Sequence, residues 1–262
     1  MAIHISVLST GKDILMKTVL ITGCSSGFGL DTARHFLEQG WKVIATMRSP
    51  KPDLLPASDN LVILPLDVTD DVSVRNAIRA AGPIDVLVNN AGIGWLNALE
   101  GTPIDVAQAV FETNTLGTMR MVRAVLPQFR ECGAGLIINV TSSVTMKPLP
   151  LLSVYTASKA AVNAFTESLA LELAPLGIAV KIVLPGAAPD TSFGNNALAL
   201  LTANGGFPNA YSDFANSVIS AMRAPDMLKT LPSDVVDAVW QAATDPSAPM
   251  RIPAGADAVA LA

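Results

Sequence analysis

The residues best suited to do chemistry are Tyr155 and Lys159, which stand four positions apart in the run Tyr-Thr-Ala-Ser-Lys. Residues with this spacing share one face of a helix. A phenol with a pKa of about 10 is a poor acid or base at neutral pH, and a nearby ammonium favours the tyrosinate. The pair therefore predicts a proton-transfer site in which Lys159 lowers the pKa of Tyr155. The alternative is a surface pair that stabilises its helix by roughly a few tenths of a kcal/mol.

A second segment with chemical potential is the glycine-rich run from Thr22 to Gly29, TGCSSGFG. Glycines let a backbone turn tightly and approach a pyrophosphate, whose charge then lies at a helix N-terminus. The spacing is G-x-x-x-G-x-G, and the Gly-Lys-Ser/Thr of a P-loop is missing. The run predicts a dinucleotide site, and the alternative is an ordinary glycine-rich turn.

Polar residues also follow two predicted strands. Asp67 ends one of them, and Asn89-Asn90-Ala91-Gly92 ends the next. Doubly wound sheets bind ligands at the carboxyl ends of their strands. Asp67 could accept a hydrogen bond from an adenine amino group, or it could structure a loop or cap a helix. The Asn-Gly segment could line the ligand site, form a structural turn, or do both.

Short and long apolar runs alternate along the chain, and they predict the strands and helices that position these residues. The predicted strands are Thr18–Thr22, Lys42–Thr46, Leu61–Leu66, Ile84–Val88, Gly135–Thr141, Ala179–Leu184 and one near Met250–Ile252. The predicted helices run from the glycine turn to Gln39 and over Val72–Ala81, Asp105–Arg130, Ser153–Ala174 and Ser233–Ala243. This alternation predicts an α/β fold with a single doubly wound, Rossmann-type parallel sheet that has helices on both faces.

One domain over residues 16–262 accounts for the length of the chain. Met16-Lys17 directly precedes the first strand, so residues 1–15 are expected to be a disordered leader or a start-site extension. Residues 187–229 are rich in Gly, Asn, Pro and Ala and show no assignable element. They follow the carboxyl end of a strand, which is where a substrate lid would lie.

The composition excludes several classes of function. Half of the residues are hydrophobic and 15% are charged, which favours a large core and a buried subunit interface. A net charge of −5 without a basic cluster argues against nucleic acid or a membrane as a partner. Two histidines and two cysteines, Cys24 and Cys132, provide no metal-ligand spacing, so no metal is predicted. The sequence shows no convincing secretory signal, and a cytoplasmic location is expected.

Taken in order from about Met16, these segments resemble the short-chain dehydrogenase/reductase family. The segments that carry the resemblance are TGCSSGFG, Asp67, Asn89-Asn90-Ala91-Gly92, Asn114, Ser142, Tyr155 with Lys159, and Pro185-Gly186. The resemblance implies an oxidoreductase that interconverts a carbonyl and an alcohol with NAD(P)(H). It also implies a homodimer or homotetramer that forms through the long helix and the Tyr-bearing helix.

The resemblance implies a role for each polar residue near the reaction. Tyr155 would exchange a proton with the substrate oxygen, and Lys159 would lower the pKa of Tyr155 and bind the nicotinamide ribose. Ser142 would stabilise developing charge, and it is chosen over Ser143 because it stands thirteen residues before Tyr155. Asn114 would hold a water in a proton relay, and the alternative is a local hydrogen bond to the backbone.

The same resemblance implies the residues that would contact the cofactor. They are Gly23, Ser25, Ser26, Gly27, Phe28, Gly29, Arg48, Asp67, Val68, Asn90, Ala91, Gly92, Tyr155, Lys159, Pro185, Gly186 and Thr191. Met47 takes the place of the acid that NAD-preferring members carry, and Arg48 could pair with a 2′-phosphate. NADP(H) is therefore favoured over NAD(H), although Arg48 could also be an ordinary surface residue. Thr191 stands five residues after Gly186 instead of the usual four.

Apolar side chains in the lid region point to the substrate. They are Phe193, Leu198, Leu200, Leu201, Phe207, Tyr211 and Phe214. If some of them line the site, the substrate is a small apolar ketone or alcohol, and the alternative places them in the core or in a subunit interface. The competing function is a cofactor-binding regulatory or sensor protein on the same fold. The intact set of Ser142, Tyr155, Lys159 and Asn114 favours the enzyme.

Overall fold

A seven-stranded parallel sheet forms the centre of the computed structural model, which describes residues 16–189, 191–222, 224 and 226–262. The strands, in chain order, are β1 (Thr18–Thr22), β2 (Lys42–Met47), β3 (Leu61–Pro65), β4 (Val86–Asn89), β5 (Gly135–Val140), β6 (Ile178–Pro185) and β7 (Arg251–Ala254). Across the sheet their order is β3-β2-β1-β4-β5-β6-β7. The strand order reverses between β1 and β4, and ligands of such sheets bind in the crevice at this reversal. The predicted leader, residues 1–15, lies outside the described residues.

Helices cover both faces of the sheet. In chain order they are α1 (Gly27–Glu38), α2 (Asp71–Ala81), α3 (Ile104–Phe111), α4 (Gly117–Cys132), α5 (Ser153–Leu173), α6 (Ser192–Ala203), α7 (Ser212–Met222), α8 (Pro232–Thr244) and α9 (Ala256–Val259). Helices α1 and α8 pack on one face, and α2, α4 and α5 pack on the other. The predicted doubly wound α/β fold is therefore confirmed.

The strands are apolar throughout because both faces of the sheet are covered. In β1, Val19 and Ile21 pack into the same layer as Phe36 of α1. The intervening Leu20 packs into the opposite layer with Val125 of α4. Successive side chains of a strand point to opposite faces, so a strand between two helical layers needs an apolar residue at every position.

The predicted helix Asp105–Arg130 is interrupted in its first half. Helix α3 ends at Phe111 and α4 begins at Gly117, and Glu112–Leu116 between them forms one wider, π-helical turn. Both flanking segments remain helical, so the apolar periodicity of the sequence could not show the change. Turns of this kind are frequent at functional sites.

Residues 187–229, which the sequence left unassigned, contain α6 and α7. Leu201 of α6 packs with Trp95, and Ala215 of α7 packs with Leu151. Of the apolar lid residues, Leu201 is buried and Leu198, Leu200, Phe207 and Tyr211 are partly buried against these clusters, whereas Phe193 and Phe214 are exposed. Glycine and asparagine within α6 are poor helix formers and hid this helix from the sequence pattern.

The remaining predicted boundaries differ from the observed ones by one or two residues. β3 ends at Pro65, β4 spans Val86–Asn89 and β6 begins at Ile178. Within the part of the chain that the structure describes, no helix is both long enough and apolar enough to span a membrane.

Candidate active site

A cleft of about 530 Å³ runs along the carboxyl edge of the sheet. The predicted site residues that line it are Gly23, Ser25, Ser26, Gly27, Phe28, Arg48, Asp67, Val68, Asn90, Ala91, Gly92, Ser142, Tyr155, Lys159, Pro185, Gly186 and Thr191. The two other predicted residues, Gly29 and Asn114, are buried beneath the wall of the cleft. Residues from many separate segments are thus brought to one surface, as the predicted fold requires.

The turn between β1 and α1 has the shape and donor chemistry that a pyrophosphate needs. Gly23 and Gly27 have positive φ angles of 76° and 57°. A methyl group on Gly29 would overlap the Gly23 carbonyl oxygen and the Asn90 side chain, so only glycine permits this close approach. Ser26 begins α1 without a capping bond from its side chain. The first amides of a helix and its dipole favour an anion at such an end, and the turn therefore fits a dinucleotide.

The ends of β1 and β4 are tied together through Thr22. Its hydroxyl accepts hydrogen bonds from the backbone amides of Asn90 and Ala91, each at 3.0 Å. The Asn90 side chain donates to the Thr22 carbonyl oxygen at 2.9 Å. The Asn-Gly segment is therefore a structural turn and a wall of the cleft at the same time, and its contact with a ligand stays a prediction.

Asp67 and Arg48 lie together at one end of the cleft. Asp67 Oδ1 accepts hydrogen bonds from the backbone amide and the hydroxyl of Thr69, at 2.9 and 2.7 Å. These bonds, followed by the weaker effect of the Arg48 charge, hold the pKa of Asp67 below its ordinary value. Asp67 thus structures its loop while it lines the cleft. Arg48 is exposed and lines the same end.

Tyr155, Ser142 and Lys159 line the middle of the cleft. Tyr155 and Lys159 lie one turn apart on α5, and their side chains are only 7% and 5% exposed. Lys159 Nζ donates to the Val140 carbonyl oxygen at 3.0 Å. Ser142 Oγ accepts a hydrogen bond from the Val144 amide at 3.3 Å. A phenol, a hydroxyl and an ammonium are therefore held on two rigid elements, α5 and the end of β5.

Burial dominates the electrostatics of this group. It raises the pKa of Tyr155 to about 12, and the hydrogen bond with Ser142 opposes that shift less strongly. Burial also lowers the pKa of Lys159 to about 8. Burial thus raises the pKa of Tyr155 in the protein alone, and the expectation that Lys159 lowers this pKa stays a prediction. A low-dielectric surrounding disfavours both charged forms, and the four-residue spacing carries no information on burial.

We expect Lys159→Met to stabilise the fold by up to about 3 kcal/mol at neutral pH. The folded pKa of Lys159, about 8, lies below the unfolded value of 10.5. Between these values the unfolded chain holds a proton that the folded chain has released, so the stability of the wild type rises with pH. Urea unfolding at pH 7.5 and 9.5 should show this rise in the wild type and its loss in Lys159→Met. Exposed Lys147→Met is the control, and equal slopes in all three proteins would contradict the prediction.

Asn114 lies in the π-helical turn and binds the loop after β4. Its Oδ1 accepts from the Ile93 amide at 2.8 Å, and its Nδ2 donates to the Ile93 carbonyl oxygen at 2.9 Å. Nδ2 also donates to Ser158 Oγ at 3.0 Å, and Ser158 donates to the Tyr155 carbonyl oxygen at 2.7 Å. The side chain therefore bonds to a backbone segment 21 residues away, which differs from the local backbone bond of the alternative interpretation. The water relay stays a prediction.

A buried chain of amides and a hydroxyl fixes α5 against the sheet. Asn89 Nδ2 donates to Asn139 Oδ1 at 2.9 Å, and Asn139 Nδ2 donates to Thr166 Oγ1 at 2.8 Å. Thr166 in turn donates to the Val162 carbonyl oxygen at 2.6 Å. Buried polar groups are costly unless they are paired, so this chain favours one register of α5. It thereby sets the position of Tyr155.

The sequence predicted a substrate lid in residues 187–229 but not the helix α6, which contributes to the cleft. Ser192 Oγ donates to Ser26 Oγ at 3.1 Å, so α6 begins directly over the glycine turn. The centroids of the Phe193 and Tyr155 rings are 5.8 Å apart. Met47 and Phe193, which the sequence analysis considered, also line the cleft, and the lining residues that were not predicted are Leu66, Thr69, Ile93, Ala109, Thr113, Val140, Thr141, Ala188, Ser192 and Asn196. Only the position of Ser192 directly after Thr191 could have indicated one of them.

A family model and curated proteins both match this chain. The model described as short chain dehydrogenase matches residues 17–199. The uncharacterized oxidoreductase YusZ from Bacillus subtilis is 36% identical over 239 residues, which cover 87% of this chain and 85% of that protein. Retinol dehydrogenase 8 from Bos taurus is 41% identical over 182 residues, which cover 65% of this chain and 58% of that protein.

Solved structures match most of the chain. A short-chain dehydrogenase from Streptomyces avermitilis superimposes with a TM-score of 0.80 at 34% identity, covering 94% of this chain and 90% of that one. A short chain dehydrogenase from Burkholderia cenocepacia in complex with NADP has a TM-score of 0.74 at 30% identity, covering 94% and 91%. A 3-ketoacyl-(acyl-carrier-protein) reductase from Brucella melitensis complexed with NADH has a TM-score of 0.75 at 27% identity, covering 92% and 98%. Similar proteins thus bind either nicotinamide cofactor.

Proposed function

The chain belongs to the short-chain dehydrogenase family, and from this premise we propose that it interconverts a neutral, apolar ketone and its alcohol with NADP(H). The observation that carries the proposal is the buried group of Tyr155, Ser142 and Lys159 in the middle of a cleft whose glycine turn fits a pyrophosphate. A binding protein would need the glycine turn but not this proton-transfer group. The regulatory alternative therefore gains no support.

Tyr155, Ser142 and Lys159 each have a separate role in the proton transfer. A bound nicotinamide supplies or accepts the hydride. Tyr155 is protonated at neutral pH because its pKa is about 12, so it is a proton donor to a substrate oxygen in the direction of reduction. The Ser142 hydroxyl donates a hydrogen bond where negative charge develops on that oxygen. The Lys159 ammonium favours the tyrosinate that forms as Tyr155 gives up its proton.

The walls of the cleft beside Tyr155 favour a neutral substrate. Ile93 and Phe193 contribute apolar surface there. Among the described residues that line the cleft, the charged ones are Arg48, Asp67 and Lys159, and the first two lie at the far end. Lys159 already donates to the Val140 carbonyl oxygen, so a carboxylate or phosphate on the substrate would lose its hydration and find no other charged partner beside Tyr155. The similarity to retinol dehydrogenase 8, named for an apolar alcohol, supports the same substrate class.

The test is the change in nicotinamide absorbance with NADPH and NADH in parallel. Neutral ketones and aldehydes with aliphatic or aromatic substituents form one panel, and 2-keto acids of matched size form the other. We expect turnover on the first panel and little on the second. Cofactor binding without turnover on any neutral carbonyl would contradict the enzymatic proposal, and a preference for the keto acids would contradict the substrate class.

Arg48 supports the choice of NADP(H), and its removal provides a further prediction. A hydrogen bond to a charged group stabilises by about 1.5–3 kcal/mol, so we expect Arg48→Ala to weaken NADPH binding about 10- to 100-fold. The dissociation constant of NADH should hardly change, since NADH lacks the 2′-phosphate. Fluorescence titration with both cofactors measures the two constants. Exposed Arg79→Ala on α2 is the matched control, and an equal loss for NADPH and NADH would assign Arg48 another role.

A homodimer or homotetramer, a single domain over residues 16–262 and a cytoplasmic location stay predictions. The apolar composition supports a subunit interface, because half of the residues are hydrophobic. The described residues form one sheet with its helical layers, which supports the single domain.

A further inference from the structure

The loop that follows β6 is held by two side chains from a distant part of the sequence. The Gly186 amide donates to Thr230 Oγ1 at 2.9 Å and also to the Ala254 carbonyl oxygen at 3.2 Å, and the Ala187 amide donates to Asp257 Oδ2 at 2.6 Å. The Thr230 amide donates back to the Ala187 carbonyl oxygen at 2.9 Å. The Thr230 hydroxyl also lies 2.6 Å from Asp257 Oδ1, so the two side chains bind each other. We call Thr230 and Asp257 the loop anchor.

Two glycines make room for the loop anchor. A methyl group on Gly186 would overlap the Asp257 carboxylate, and one on Gly255 would overlap the Thr230 hydroxyl. Gly255 also has a φ angle of 98°, which residues with side chains rarely adopt. Thr230 is 0% exposed. Position 186 must therefore be glycine because a side chain there would overlap the Asp257 carboxylate. This requirement is separate from any that a ligand in the cleft would impose.

The loop anchor lies behind the cleft and reaches it through the backbone. Gly186 and Ala188 line the cleft, whereas Thr230 and Asp257 do not. The same stretch leads through Thr191 into α6, which begins over the glycine turn. Any displacement of this backbone would therefore move the wall beside Tyr155.

We propose that Thr230 and Asp257 are positioning residues that hold Gly186 and Ala187 in place against the nicotinamide end of the cofactor. The inference rests on the proposed function, because the loop contacts a nicotinamide only if the cleft binds the cofactor. A loop that is already ordered binds more tightly, since a binding-competent state that is only partly populated lowers the apparent affinity by that fraction. The adenosine end binds near Arg48 and Asp67, so the loop anchor leaves affinity for that end unchanged.

Thr230→Val and Thr230→Ser separate hydrogen bonding from shape. Valine keeps the volume of threonine but leaves the Gly186 amide without its side-chain acceptor, whereas serine keeps the hydroxyl. The first measurement is hydrogen exchange of the peptide that contains residues 186–188, in protein without cofactor. We expect faster exchange in Thr230→Val and the wild-type rate in Thr230→Ser. Thermal unfolding of both variants checks that the fold is retained.

The second measurement compares whole cofactor with fragments that lack nicotinamide. Dissociation constants are determined for NADPH and NADH and for 2′-phospho-ADP-ribose and ADP-ribose. We expect Thr230→Val to weaken binding of the preferred cofactor about five- to tenfold, as the loss of one or two hydrogen bonds implies. Binding of the corresponding fragment should stay within about twofold of the wild type, because the fragment does not reach the loop.

Asp257 provides a second set of variants in case Thr230→Val fails to fold. Asp257→Ala removes both acceptors and should act like Thr230→Val. Asp257→Asn should keep most of the affinity, because its amide oxygen can accept from Ala187 while its NH₂ donates to the Thr230 hydroxyl. Asp245→Ala is the matched control, since Asp245 is a partly exposed carboxylate that accepts from the backbone amide and the hydroxyl of Ser247 away from the cleft.

The outcomes distinguish this inference from the proposed function. Wild-type exchange and wild-type cofactor affinity in Thr230→Val, or in Asp257→Ala, would overturn the inference alone. Equal weakening of cofactor and fragment, or a serine variant as impaired as the valine variant, would also overturn it, because it would indicate general destabilisation. A wild-type protein that binds neither NADPH nor NADH would overturn the proposed function, and the positioning role would fall with it.

Discussion

Tyr155→Phe is expected to lower the turnover number about 10²- to 10⁴-fold, the range that general acid–base catalysis contributes. The substitution removes one oxygen atom from a side chain that is 7% exposed and keeps the ring against Phe193. Ser142 and Lys159 keep their backbone partners. The dissociation constant of the cofactor should therefore change far less than the turnover number. Steady-state kinetics and fluorescence titration of the same preparation measure the two quantities.

The chain offers a matched control for this experiment. Its other tyrosine, Tyr211, donates from its hydroxyl to Glu100 at 3.0 Å and does not line the cleft. Tyr211→Phe deletes the same atom from a surface contact, so turnover should stay within about twofold of the wild type. If both variants lose activity equally, Tyr155 is not the acid/base of the reaction.

Gly29→Ala is expected to abolish measurable cofactor binding and to lower the free energy of unfolding by about 1–3 kcal/mol. The added methyl would overlap the Gly23 carbonyl oxygen and the Asn90 side chain. A backbone oxygen cannot move aside without displacing the turn that approaches the pyrophosphate. Isothermal titration with NADPH and urea unfolding give the two readouts.

The control for Gly29→Ala is Gly194→Ala in α6. A methyl group on Gly194 meets no atom within 4 Å. Alanine is the better helix former, so Gly194→Ala should stabilise the protein by about 0.5–1 kcal/mol and leave cofactor binding intact. Wild-type affinity in Gly29→Ala would show that the turn does not carry the pyrophosphate.

The sheet could be predicted from the sequence because its cause is local. A strand covered on both faces needs apolar side chains at every position, and Thr18–Thr22 shows such a run directly. The glycine turn could be located for a related reason, whereas Pro185-Gly186 was indicated only by the resemblance to the family. Where two backbone segments approach closely, only glycine fits, so a single residue in the sequence indicates the contact.

The missed features depend on contacts between distant segments. The π-helical turn at Asn114 accompanies bonds to Ile93 and Ser158, and no spacing within the helix shows those partners. The pKa values of Tyr155 and Lys159 follow from burial, to which Phe193 of α6 and Gly92 after β4 contribute. The loop anchor also depends on distant segments, because Gly186 and Asp257 are adjacent in space but 71 residues apart in sequence.

The position of the loop anchor in the sequence has a consequence for biosynthesis. Among the residues that the structure describes, those that line the cleft extend to Asn196, whereas Thr230 and Asp257 are translated later. During translation, the nascent chain would therefore contain these lining residues before Thr230 and Asp257 are available to hold the loop that contacts the nicotinamide. The protein could then bind the cofactor only late in synthesis, after the first strands and helices have emerged. Until then, the loop of the cleft in the nascent chain would not be held in place.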